Sequence, residues 1–227
     1  MSFLGGLINA KSVNHERTIE KLVTEASPRR TFMLMIIISS VIAALGLLNE
    51  STSVVIGAML VAPLLWPILG IGMGIVVGDL NMIRLSLMSI MIAVGISIVT
   101  AMLITFQYIP LGTDNMFLQQ SDFGFMIPVA IASGIAAALA ISFEEIGESI
   151  PGIAVSVALI PPLVTVGIGL GGTDWGIMRN SLELFSLNLV GIILASMVVF
   201  YLLGFRKYAR TLRTAIKKEE KALKAKK

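Results

Sequence analysis

The chain of 227 residues contains no cysteine and a single histidine, His15. The first absence excludes disulfides, thiolate catalysis and sulfur-ligated metals, and one histidine builds a metal site only with several carboxylates beside it. Charge is also scarce, at 14% of residues. Between Thr31 and Gly204 the only basic side chains are Arg84 and Arg179. There is no phosphate-binding loop, no metal-ligand pair on a helix and no nucleophile elbow. Gly70-Ile-Gly-Met-Gly74 superficially resembles a dinucleotide fingerprint, but it follows an apolar run with no strand before it. Neither a cofactor nor a metal is expected, and the chain is not expected to be an enzyme.

What is present is apolar residue, 56% of the chain, with 21 glycines and 13 methionines. That content exceeds what one globular core buries, so lipid is the expected solvent, and the small residues suit close helix packing inside it. A bilayer core about 30 Å thick takes roughly 20 helical residues to cross. Six uncharged runs of about that length are found, at 32–48, 54–78, 85–106, 125–143, 150–171 and 184–204. Arg29 and Arg30 precede the first, and Arg206, Lys207, Arg210 and Arg213 follow the last. The positive-inside bias therefore predicts both termini in the cytoplasm and a cell-membrane location. The longest loop, 107–124, holds Asp114 and Asp122 but no basic residue, as an outer loop would.

The N-terminal 30 residues lack a long apolar core and a cleavage site, so the first span is expected to be retained. Within them Ile19, Leu22, Val23 and Ala26 fall on one helical face. That pattern fits either a short amphipathic helix on the membrane surface or a leader packed on the bundle. The basic tail, 205–227, is expected to meet anionic lipid or an acidic partner. Nucleic acid is not expected as a partner, because the tail lacks interleaved aromatics beyond Tyr208 and carries no accompanying motif.

The two halves, 31–106 and 125–204, resemble each other. Ser39 to Leu47 aligns with Ser133 to Ile141, and Glu50 then falls on Glu144. With a short gap, Pro63 falls on Pro162, Gly70 on Gly169, Asp79 on Asp174 and Arg84 on Arg179. Three crossings per copy is an odd number, so the second copy enters from the opposite side. The expected fold is an all-α integral membrane protein of two inverted three-helix repeats, a plan recurrent in secondary transporters and shared by channels.

Prolines interrupt the second and fifth runs. Pro63 and Pro67 lie in one, Pro161 and Pro162 in the other, and both helices are expected to break there. Unwound backbone in hydrocarbon is tolerated where protein, a polar cavity or an ion satisfies it, so these segments with Gly70, Gly169 and the deeper Asn188 are the expected pathway. The competing reading is a packing kink with no ligand. Asp79 with Arg84, and Asp174 with Arg179, are expected to pair across tight turns. Glu50 and Glu144 would stand at opposite faces as gates or as solvated loop charges, and Glu183 at the mouth of the sixth run. Glu144, Glu145 and Glu148 form the densest acidic patch.

The segment Gly46-Leu-Leu-Asn-Glu-Ser-Thr-Ser53, followed by Val55-Ile-Gly-Ala-Met-Leu-Val-Ala-Pro-Leu64, Pro67-Ile-Leu-Gly-Ile-Gly72 and Gly78-Asp79, resembles the signature of domain of unknown function 389. Those are hydrophobic membrane proteins of bacteria and archaea, and Ile160-Pro-Pro-Leu-Val164 resembles them too. The resemblance spans about 30–204 and implies a membrane protein but no catalytic residue; some relatives carry an added soluble domain. The sequence as a whole predicts a channel or secondary transporter for a small ion or solute, expected to be a homo-oligomer. The alternative is a non-transporting scaffold that recruits lipid or a partner through its tail.

Overall fold

The computed structural model describes residues 13–108, 123–143 and 149–225, with side-chain contacts at 13–108, 127–143 and 159–223. Among these residues the protein is helical, with no strand and one antiparallel bridge between Val13 and Phe143. In chain order the helices are α1 (His15–Ala26), α2 (Arg30–Leu48), α3 (Thr52–Val61), α4 (Leu65–Val77), α5 (Leu80–Tyr108), α6 (Phe123–Ser142), α7 (Ser149–Gly171) and α8 (Trp175–Leu202). A 3₁₀ turn (Phe205–Tyr208) and α9 (Ala209–Ala225) complete them.

Helices α2, α5 and α8 are long and apolar enough to cross a membrane, and α3 with α4, bent by 53° at their junction, make a fourth such unit. Helices α6 and α7 are apolar and have 20 and 23 residues. Large apolar side chains lie on the outside of the bundle as well as inside it, where Ile36, Leu64, Leu69 and Phe200 are fully buried. Leu34, Leu87, Met91, Leu103 and Val198 face outward, whereas Ala43, Ala44, Ser39, Ser40, Ala93 and Ser97 are sealed inside. In lipid no hydrophobic force draws helices together, so small residues at the crossings let backbones approach, and large apolar ones can also meet the solvent.

The closest approaches show this directly. A methyl group added to Gly134 would lie 2.7 Å from the Ile192 carbonyl, and one added to Gly167 would lie 2.6 Å from the Ile98 carbonyl. Where glycine is absent a hydroxyl bridges instead: Ser40 donates to Ser97 at 2.9 Å and joins α2 to α5.

The two terminal segments meet at one end of the bundle. In α1, Ile19, Leu22, Val23 and Ala26 are all buried. Helix α1 lies against α4 and α9, and Ser89 of α5 donates to the Ala26 carbonyl at 2.6 Å. Of the two readings of this amphipathic segment, the packed leader is the one observed. Its apolar face is covered by protein and not by lipid. Helix α9 has a matching apolar stripe of Leu212, Ala215 and Ile216. Arg29 grips Glu219 through two hydrogen bonds, of 2.9 and 2.7 Å. His15 stacks on Tyr208 with ring centres 4.4 Å apart and reaches the Leu203 carbonyl at 3.0 Å.

The expected break in the fifth apolar run is corrected: α7 is continuous through Pro161 and Pro162. The third and sixth runs also begin earlier than charge alone suggests, at Leu80 and Trp175. The acid before each one accepts from the first-turn backbone and starts the helix ahead of the apolar core.

Gly167→Ala is expected to lower the thermal midpoint in detergent, because the added methyl must displace the backbone of α5, at a cost of about 1–3 kcal/mol. Gly95→Ala, which meets nothing within 4 Å, is expected to leave the midpoint unchanged or raise it. Equal effects at the two positions, measured by heat-induced loss of the monodisperse peak, refute the packing account.

Candidate functional site at the interrupted helix

The break between α3 and α4 consists of Ala62, Pro63 and Leu64. Proline disfavours helical backbone in the residue before it, and Ala62 has the extended ψ of 121°. Pro63 also lacks the N–H that would bond back into α3. Pro67 does no such damage. It is the third residue of α4, in the first turn, where an N–H has no intrahelical acceptor. Side chains support the break from both sides. Ser39 of α2 donates to the Ala58 carbonyl at 2.9 Å, and the Lys21 ammonium of α1 lies 5.5 Å from the ring centre of Trp66.

Beyond the break, α4 is buried along almost its whole inner length. Gly70 receives the buried hydroxyl of Ser86, and Gly72 receives Ser196 of α8. Helix α4 then ends in a turn. The Gly78 N–H bonds to the Ile75 carbonyl at 3.2 Å, the Asp79 N–H to Gly74 at 2.9 Å, and the Asp79 carboxylate accepts from the Met82 N–H at 3.1 Å. Gly78 is left-handed, with φ of 74°.

Helix α7 ends in the same turn. The Thr173 N–H bonds to Leu170 at 3.4 Å, the Asp174 N–H to Gly169 at 2.8 Å, and the Asp174 carboxylate accepts from the Ile177 N–H at 2.9 Å. Thr173 takes the left-handed position, with φ of 57°. Each residue number of this second turn exceeds its counterpart by 95. The offset recurs across the bundle: Gly72 packs on Ile193 and Ser196, and Gly167 on Ile98 and Ala101. The α4–α8 and α7–α5 crossings thus use reciprocal residues.

This register revises the sequence alignment. Pro162 corresponds to Pro67, and Gly169 to Gly74, in place of Pro63 and Gly70. The position of Pro63 is held by Ala158 in the second half. That explains why one helix breaks and the other runs on. Within the continuous helix the Thr165 hydroxyl donates to the Pro161 carbonyl at 2.8 Å, one turn back.

The expected ion pairs across the turns are also corrected. Once Asp79 and Asp174 cap their helices, Arg84 and Arg179 lie on the helices themselves and are exposed. Asp79, 3% exposed, instead receives Arg213 of α9 at 3.2 Å. Arg179 pairs with Glu183 at 2.9 Å, one turn along the exposed face of α8, where such a pair contributes little. Asn188 is buried in α8. Glu50 is exposed and takes the left-handed position after α2, with φ of 52°. Glu144, Glu145, Glu148, Asp114 and Asp122 lie outside the described residues. The structure therefore surrounds the break with Ser39, Lys21, Trp66 and Pro67, whereas Glu50, Arg84, Arg179 and Glu183 sit on the surface.

Two contacts escaped sequence reasoning, Lys21 on Trp66 and Arg213 on Asp79. A signal for the second was present: Leu212, Ala215, Ile216 and Glu219 repeat at helical spacing inside a segment read only by its charge.

Lipid-type exterior, small residues at the helix crossings and an interrupted apolar helix together define an all-helical, membrane-associated bundle. The chain belongs to the family described as domain of unknown function (DUF389), whose model matches residues 59–194. That stretch takes in the break and both turns, and leaves α1 and α9 outside it. An uncharacterised protein of Methanocaldococcus jannaschii is 30% identical over 179 residues, which cover 78% of this chain and 55% of that protein. The chain thus spans about half the length of this relative. No solved structure matches it.

A double-mutant cycle tests the charge assignment. Asp79→Asn and Arg213→Ala are expected to show a coupling of about 0.5–1 kcal/mol in detergent stability. Asp79→Asn and Arg84→Ala are expected to show none, and coupling confined to Arg84 overturns the pairing seen here.

Proposed function

We propose that the protein is a channel or secondary transporter for a small ion or solute, with the α3–α4 break as part of its pathway. The observation that carries this reading is the break itself. Two apolar half-helices meet at 53° inside a bundle whose exterior suits lipid. Non-helical backbone at membrane depth is sustained where it is buried in protein or lines a polar path. In the proposed arrangement α2, α3–α4 and α5 form one repeat and α6, α7 and α8 form its inverted copy, giving six crossings. The 95-residue offset supports it, because residues that touch reciprocally are what a two-fold relation between copies produces.

Pro63, Pro67, Pro161, Pro162, Gly70, Gly169 and Asn188 are the proposed pathway residues. Both termini are proposed to be cytoplasmic in the cell membrane, in keeping with Arg29, Arg30 and Arg206 at the ends of the apolar run. The proposed assembly is a homo-oligomer in contact with anionic lipid, and its role is not enzymatic. Energy for uphill movement would come from an ion gradient.

The test is flux through purified full-length protein in liposomes, against a panel of small ions and solutes. Flux above that of empty vesicles is expected for one class. Pro63→Ala, which restores the N–H at the break, is expected to change the rate about tenfold while helix content by circular dichroism stays constant. Absence of flux for every species under an imposed gradient refutes transport. A stoichiometric hetero-complex from native membranes that is lost on deleting 206–227 would favour the scaffold reading instead.

A further inference from the structure

An open groove runs between the end of α4 and the last two turns of α8. Its volume is about 640 Å³. Ile75 and Val77 form one wall and Met197, Val198 and Leu202 the other, with Arg206 at its mouth. The helix behind each wall is followed by a left-handed glycine, Gly78 and Gly204, with φ of 74° and 80°. Tyr201, 60% exposed, stands beside that mouth.

We infer that this groove holds one acyl chain of an anionic phospholipid, with the lipid phosphate on the Arg206 guanidinium. Charge complementarity favours this occupant. Arg29, Arg179 and Arg213 each have a carboxylate partner. Arg206 is exposed and has no ion pair among the described residues. Its positive charge therefore stands uncompensated at the rim of an apolar cleft. Lys207 and Arg210, also exposed, follow within one turn and add to the positive potential there. An aromatic ring in the last turn of an apolar helix and a guanidinium just past that helix match the polar boundary of a bilayer, where both side chains concentrate. Arginine also meets phosphate with a planar fork of donors. A zwitterionic lipid offers the same chain but cancels the charge Arg206 would meet, so the site discriminates by headgroup.

This assignment is separate from transport and has its own readout. Full-length protein is titrated in detergent with phosphatidylglycerol or with phosphatidylcholine of identical chains, and retained lipid is counted by native mass spectrometry. Phosphatidylglycerol is expected to be retained about fivefold more strongly, the effect of about one basic residue at the membrane surface. Arg206→Gln is expected to erase that preference, and Arg210→Gln to leave most of it. Val198→Trp, on an already exposed position, fills the groove and is expected to reduce retention of both lipids while the protein stays monodisperse with unchanged circular dichroism. An unaltered preference in Arg206→Gln overturns the proposal. So does a Val198→Trp variant that loses self-association but keeps its lipid, which would make the groove a contact between copies of the chain.

Discussion

Everything in this bundle depends on backbones that approach closely in an environment where nothing else draws them together. Water expels apolar surface, but lipid does not, so cohesion rests on van der Waals contact and on a few hydrogen bonds. That requirement explains the placement of Gly72, Gly134 and Gly167 at crossings where a methyl group would strike a carbonyl or a serine hydroxyl. It also explains why Ser40 and Ser97 face inward. A hydroxyl inside hydrocarbon is costly unless it finds a partner, and the partner then joins two helices. The interrupted helix is tolerated for the same reason, since α1, α2 and α8 supply contacts around Ser39, Trp66 and Gly72 that lipid would not.

The apolar runs were legible because the bilayer imposes a length and excludes charge, so even a single sequence marks most of the helices. The break at Pro63 was legible from the chemistry of proline alone. Continuity at Pro161 and Pro162 was not, because a proline's effect depends on where in its helix it falls and on what lies beside it. Pro67 shows the same dependence: one position later in the chain is the difference between the first turn and the interior. The register of the two halves was misread where only small residues matched. Gly70 and Gly74 are equally good partners for Gly169 as letters, and only the turn with its Asp cap distinguishes them.

Charges were the least legible feature. Asp79 and Arg84 are neighbours in sequence, and proximity in sequence was a poor guide once Asp79 began a helix. Its actual partner, Arg213, lies more than a hundred residues away in a segment whose charge suggested anionic lipid or an acidic partner. The amphipathic stripe of α9 pairs with that of α1, so the two ends of the chain build one layer over the bundle. The layer touches the turn after α4 through Arg213 and the ring of Trp66 through Lys21. It therefore contacts the interrupted helix on both sides of its longer half.

The two copies of the Gly-Asp turn share a backbone but not a side chain at the left-handed residue. Gly78 adopts that conformation freely, whereas Thr173, branched at Cβ, is held there against its preference. The first turn is also tied to the terminal layer by Arg213, and Asp174 has no such tie among the described residues. Of two turns alike in backbone, one is thus relaxed and tied to the terminal layer, and the other holds a β-branched residue in a strained conformation. The likeness of the two turns lies in the path of the backbone and not in the residue that occupies its left-handed position.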